Sequence, residues 1–176
     1  METPKASVKK IALNYGLLMG LASIVFGVVL YALNMHIDRP WWTIIISLGI
    51  SILFLVYGFK AFKKDNGGFM SLGEALKVGV AISAIAGIIS VIFNYIFVTF
   101  IEKDYVEKVL ELTRERMIEQ NPELTEEQME MSLSIVETMS SPGLGAAFGI
   151  AMALFFGFLL SLIIGAIMKQ SRPAGY

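Results

Sequence analysis

The chain has 176 residues, 56% of them apolar and 16% charged, with a net charge of −1; soluble domains carry roughly a quarter charged residues. That length is within the range of one domain. The absence of cysteine excludes disulfides, thiolate metal sites and cysteine nucleophiles, and no nucleic-acid partner is expected.

Met1 to Lys10 is short and basic. The apolar run behind it, residues 11–33, is longer than a signal-peptide core and ends without a small-residue cleavage site, so it reads as a retained membrane span. Residues 41–59, 75–100 and 144–168 also meet the spanning length of roughly 20 residues. Lipid offers no partner for a free backbone N–H or C=O, so all four runs must be helical. The expected fold is all-α: an integral membrane four-helix bundle, a single domain over residues 1–176. An extracytoplasmic helical hairpin, residues 101–142, is expected between the third and fourth spans.

Lysine and arginine set the orientation. Lys5, Lys9 and Lys10 precede the first span, Lys60, Lys63 and Lys64 follow the second, and Lys169 and Arg172 follow the fourth. Residues 101–142 hold eleven of the fifteen carboxylates against Lys103, Lys108, Arg114 and Arg116, a net −7. The positive-inside rule therefore places both termini in the cytoplasm and the acidic segment outside.

In the first connection, Pro40-Trp41-Trp42 suits a helix start at the headgroup level. His36, the single histidine, reads as a solvated loop residue, because a metal site needs several convergent ligands. In the second connection, Asn66-Gly67-Gly68 supplies a turn, and Ser71 with Glu74 makes a capping box for the third span. The glycines lack the phosphate-loop pattern.

From Ile88 to Gln120 there is no glycine or proline. The third span is therefore expected to continue past the membrane as one helix until Asn121-Pro122, projecting as a stalk. Thr125 and Gln128 start a second helix with another capping box. The apolar stripes of the pair, with Val109 and Met117 on one helix and Met129, Leu133 and Val136 on the other, are candidates for mutual burial or a partner face. The carboxylates Glu102, Asp104, Glu107, Glu111, Glu115 and Glu119 step at helical spacing and read as a solvated face. No EF-hand loop is present.

The fourth span repeats small residues every four positions: Gly145, Gly149, Ala153, Gly157, Ser161 and Gly165. Such a groove lets helix backbones approach closely. It reads as packing inside the bundle, with homodimerisation through the same face as the alternative. Asn94, the most polar deep residue, reads as an interhelical hydrogen bond. Ionisable groups inside the membrane mark function, and only Lys77, near one end of the third run, interrupts the apolar stretches. No catalytic, cofactor-binding or metal constellation is visible, so no enzymatic activity is expected.

The chain resembles a bacterial family of small membrane proteins, domain of unknown function 4199, over nearly its whole length. The resemblance rests on Leu13-Asn14-Tyr15-Gly16-Leu17, on Asn66-Gly67-Gly68 with Ser71-Leu72-Gly73-Glu74-Ala75, and on Phe97-Val98-Thr99-Phe100-Ile101. It continues through Thr125-Glu126-Glu127-Gln128, Ser141-Pro142-Gly143 and Phe155-Phe156-Gly157 to Ile167-Met168-Lys169. Relatives commonly carry Asp-Pro-Asp after the third span, where this chain has Glu102-Lys103-Asp104. The resemblance implies a multi-pass topology in the inner membrane and no mechanism. The expected function is non-enzymatic association with membrane or periplasmic partners, with the lipid bilayer and a homodimer or membrane-protein contact as surroundings. The alternative is a small transporter or channel for a neutral or cationic solute, concentrated by the acidic segment. A membrane enzyme completed by a partner's residues or cofactor is the weakest of the three.

Overall fold

The computed structural model describes residues 6–172. Six α-helices run in order: α1 (Val8–Ala32), α2 (Trp41–Asp65), α3 (Leu72–Ile96), α4 (Tyr105–Gln120), α5 (Glu126–Ser140) and α6 (Pro142–Met168). Among the described residues, α1, α2, α6 and α3 with its extension to Ile101 are long and apolar enough to cross a membrane. The protein is thus a multi-pass, all-α membrane protein. Between 22% and 33% of the most apolar part of each span is covered by protein. Much of the rest is apolar and outward-facing, with Leu17, Leu21, Ile44, Ile92, Phe155 and Ile163 exposed as lipid contact requires.

Local chemistry sets the helix ends. Ser7 accepts a hydrogen bond from the Lys10 amide at the start of α1. Ser71 with Glu74 and Thr125 with Gln128 form complete capping boxes on α3 and α5, which satisfy amides that the first helical turn leaves free. Gly67 and Gly68 turn the chain at φ 70° and 92°, values that side chains resist. Pro142 occupies the first turn of α6, where its missing N–H costs nothing.

Helix α3 is central, packed along α1 on one side and α6 on the other, while α2 lies mainly against α1. The α3–α6 seam is a four-residue ladder of small side chains in antiparallel register. Ala75 meets Gly165, Gly79 meets Ser161, Ser83 meets Gly157, and Gly87 meets Ala153. A Cβ added at Gly165 or Gly87 would stand 2.7 Å from the Cβ of Ala75 or Ala153, closer than atoms pack. Gly149 faces Val91 one step further on, and Gly145 lies against the Met139 carbonyl where α5 joins α6. From Gly149 to Gly165 the small-residue face of the fourth span therefore packs on α3 of the same chain.

The two ends of the bundle differ. At the end where α1 begins and α6 stops, Ile11, Leu55, Phe59, Phe62, Ala75 and Val78 form a packed core. The tail closes over it: Met70 and Gln170 exchange backbone hydrogen bonds of 2.9 and 2.8 Å, Lys63 Nζ donates to the Met168 carbonyl and Arg172 donates to Asn66 Oδ1. Asn66 is buried there.

At the other end the expected continuous stalk does not form. Helix α3 passes into a π-helical turn, Phe97–Ile101, and the helix stops at Glu102, with φ −129° and ψ 80°. Its amide bonds back to the Phe97 carbonyl at 2.9 Å. The wider turn holds an extra residue and re-aims the chain beyond it, so α4 starts afresh at Tyr105. Freedom from glycine and proline permits a long helix but does not require one. Helices α4 and α5 pack together, α5 also touches α6, and Arg116 pairs with Asp38 in the α1–α2 connection. That ion pair ties α4 to the end of the bundle, where a free stalk would leave it unattached.

Candidate functional site

The π-turn delivers Glu102 to a buried position, 5% exposed, against His36, which is 9% exposed. This corrects two expectations, a solvated His36 and a fully solvated carboxylate face. His36 Nε2 lies 2.6 Å from Glu102 Oε2, at ion-pair distance but not aligned as an N–H···O bond, and among the described residues His36 Nδ1 has no hydrogen-bond partner. Lys108 Nζ donates to Glu102 Oε1 at 2.8 Å and reaches Asp104 Oδ2 at 2.9 Å. Tyr31 and Phe97 meet the imidazole edge-on, with ring centres 4.9 and 6.0 Å away, and Tyr105 stacks at 6.3 Å. Hydrogen bonds to Glu102 and then Asp104 push the Lys108 ammonium above its ordinary range. The bond from Lys108 holds the Asp104 carboxyl below its own. Among the described residues no three His, Asp or Glu side chains converge as a metal site would need.

Beneath this cluster is a cavity of about 300 Å³ between α1, α2 and α3. His36, Arg39 and Tyr105 lie on its wall near the hairpin; Ser23, Thr43, Ser47, Ser90 and Asn94 line it with Phe26, Phe93 and Ile50. A second cavity of about 380 Å³ between α1, α3 and α6 shares Ser23, Ser90 and Asn94 with the first and includes Ser51 and Ser83. Ser23, Ser90 and Asn94 thus lie between the two cavities, on the linings of both. Thr43 donates its hydroxyl to the Pro40 carbonyl, Ser23 to Met19 and Ser51 to Ser47, which leaves their oxygens as acceptors. Asn94 was expected to bridge helices. Its side chain makes no hydrogen bond among the described residues and lines both cavities instead.

The apolar stripes of the hairpin are largely covered, as mutual burial of α4 and α5 requires. Leu133 is buried, and Val109, Met117, Met129 and Val136 are partly covered. The apolar residues left open on the hairpin are Ile118, Met131, Ile135 and Met139. Met131, Ile135 and Met139 were legible as four-residue spacing on α5. His36 and Glu102 were not, because nothing local tells a turn residue that a distant helix will cover it. The available signal was placement: both sit where an apolar run ends, with Tyr31, Phe97 and Tyr105 close by in sequence.

No curated protein and no solved structure matches the chain. The model of the family described as proteins of unknown function, DUF4199, matches residues 14–170; this four-span membrane protein belongs to that family.

Proposed function

We propose that the protein is a non-enzymatic component of the bacterial inner membrane. Both termini are cytoplasmic, the hairpin is outside, and it acts by association with a membrane or periplasmic protein. The observation that carries this reading is the ridge on α5: Met131, Ile135 and Met139, at four-residue steps, are 60%, 59% and 47% exposed although α5 already packs on α4 and α6. Residues at that spacing share one helix face, and an apolar face left open after packing marks an interaction surface.

A photo-crosslinking residue at Ile135 tests it in intact cells. The expected result is a discrete protein adduct that Met131→Asp removes while the protein stays folded, with no adduct from Glu127 on the same helix. Adducts to lipid alone would show that the ridge rests on the membrane and would overturn the reading.

Transport, the second reading, draws on the two cavities, whose linings share Ser23, Ser90 and Asn94. Against it stands the packed core around Phe59, Phe62 and Ala75, which closes the bundle at its opposite end. The upper cavity also has Arg39 and no carboxylate on its wall, which disfavours the cationic solutes expected from the acidic hairpin.

A further inference from the structure

We propose that the cavity beneath the hairpin is a binding site for a phosphate ester of a small polyol, with Arg39 as its charge partner. This site is separate from the α5 ridge and stands or falls independently of it. Three observations converge on that chemistry.

The first is charge. Arg39 lies on the cavity wall, and its Nε donates to the His36 carbonyl at 3.2 Å, which anchors the guanidinium. Every nearby carboxylate is engaged elsewhere: Asp38 by Arg116, Glu102 by His36 and Lys108, and Asp104 by Lys108. Among the described residues Arg39 makes no ion pair, so the wall presents a cation whose fork geometry suits phosphate oxygens. The second is hydrogen-bond polarity. Thr43 and Ser23 donate their hydroxyl protons to their own helices, so toward the cavity their oxygens only accept. The Asn94 amide can both donate and accept. A ligand body meeting Thr43 and Ser23 supplies O–H donors, as a polyol does, and the Ser47 and Ser90 hydroxyls on the same wall can donate or accept in turn. The His36 imidazole, whose Nδ1 is buried without a hydrogen-bond partner among the described residues, belongs to the same wall. The third is level. Arg39 directly precedes Pro40-Trp41-Trp42, and indole rings favour the headgroup depth, where phosphate esters are concentrated. About 300 Å³ is at the lower end of small-molecule sites, enough for a glycerol phosphate and too little for a lipid's acyl chains.

Two sources share this chemistry, a soluble polyol phosphate and the headgroup of an anionic phospholipid. The test uses full-length protein and two probes. In neutral detergent, sn-glycerol 3-phosphate is titrated while the fluorescence of Trp41 and Trp42 is followed. In nanodiscs of phosphatidylcholine with or without phosphatidylglycerol, native mass spectrometry counts the phosphatidylglycerol that stays bound. Saturable binding of either probe to the wild type is expected, with the responding probe naming the source. Arg39→Gln should weaken it about ten- to hundred-fold, as loss of a charged hydrogen-bond partner does, and Arg39→Lys should weaken it less. Arg172→Gln, at the other end of the bundle, should leave it unchanged. Ser47→Leu fills the cavity with a side chain that a membrane helix accepts, and should abolish binding even if Arg39→Gln proves unstable. If neither probe saturates, or if Arg39→Gln and Ser47→Leu both bind like the wild type, the proposal is wrong.

Discussion

Glu102 and Lys108 are unequal partners, because the carboxylate is 5% exposed and the lysine side chain 43%. Without Glu102, the lysine keeps Asp104 and water. Without Lys108, a buried carboxylate keeps only the imidazole, and an uncompensated buried charge is strongly destabilising. Lys108→Met should therefore lower the unfolding temperature by several degrees, while Glu102→Gln lowers it little. Combining the two should recover most of the loss, since removing both partners spares the unpaired charge; equal losses from the single variants would contradict this asymmetry. The Lys108–Asp104 pair has its own pH signature. The folded Asp104 carboxyl lies below its ordinary value, so its contribution is present above about pH 4 and is lost as pH falls through the folded value. The Lys108 ammonium lies above its ordinary value. Its contribution is complete below about pH 10 and is lost as pH rises through the folded value. The difference in unfolding temperature between wild type and Asp104→Asn should then be constant from about pH 5 to 9 and shrink at lower pH.

At the scale of elements, the α3–α6 seam and the α5 helix respond to sequence in different ways. A leucine at Gly157 would drive its side chain into Ser83, whereas Ala151 lies on an exposed face of α6. Gly157→Leu should cost about 1–3 kcal/mol or more, as overpacking does. Ala151→Leu should fall within about 0.5 kcal/mol of wild type. Steric-trap or thermal unfolding in detergent measures both, and equal tolerance would mean that the seam yields more readily than its register implies. The π-turn acts at the same scale. By ending α3 at Glu102 it converts a projecting rod into a hairpin held over the bundle, and the cavity wall gains Tyr105 as a result.

For the whole molecule, a packed terminal end and an open hairpin end make the bundle asymmetric, and the proposed orientation puts the open end outside. Cysteines at Lys64 and Glu127, both exposed, report this directly. An impermeant thiol reagent should label Glu127→Cys in intact cells and Lys64→Cys only after lysis. Labelling of Lys64→Cys in intact cells with Glu127→Cys silent would invert the topology, and the lysine distribution would then have misled.

What the sequence determined by itself was whatever depends on neighbours in the chain or on the solvent: the four spans, their helical state, the capping boxes at Ser71 and Thr125, and the turn at Asn66-Gly67-Gly68. The four-residue spacing of Gly149, Ala153, Gly157, Ser161 and Gly165 likewise marked a close-packing face, because helix periodicity alone aligns those residues. The partner for that face was decided only in three dimensions, when α3 brought Ala75, Gly79, Ser83 and Gly87 into matching antiparallel register. The same holds for the candidate site. His36 and Glu102 are separated by two spans, and each alone reads as a polar residue at a water-facing turn. Burial comes only when the π-turn swings Glu102 beneath α4 and three aromatic rings close around the imidazole. Arg39 and Asn94 likewise share a cavity wall only because α1, α2 and α3 part at that end while the opposite end is filled by Phe59 and Phe62. Where helices part or close depends on side-chain volumes from several segments at once, and no single stretch of sequence contains that information.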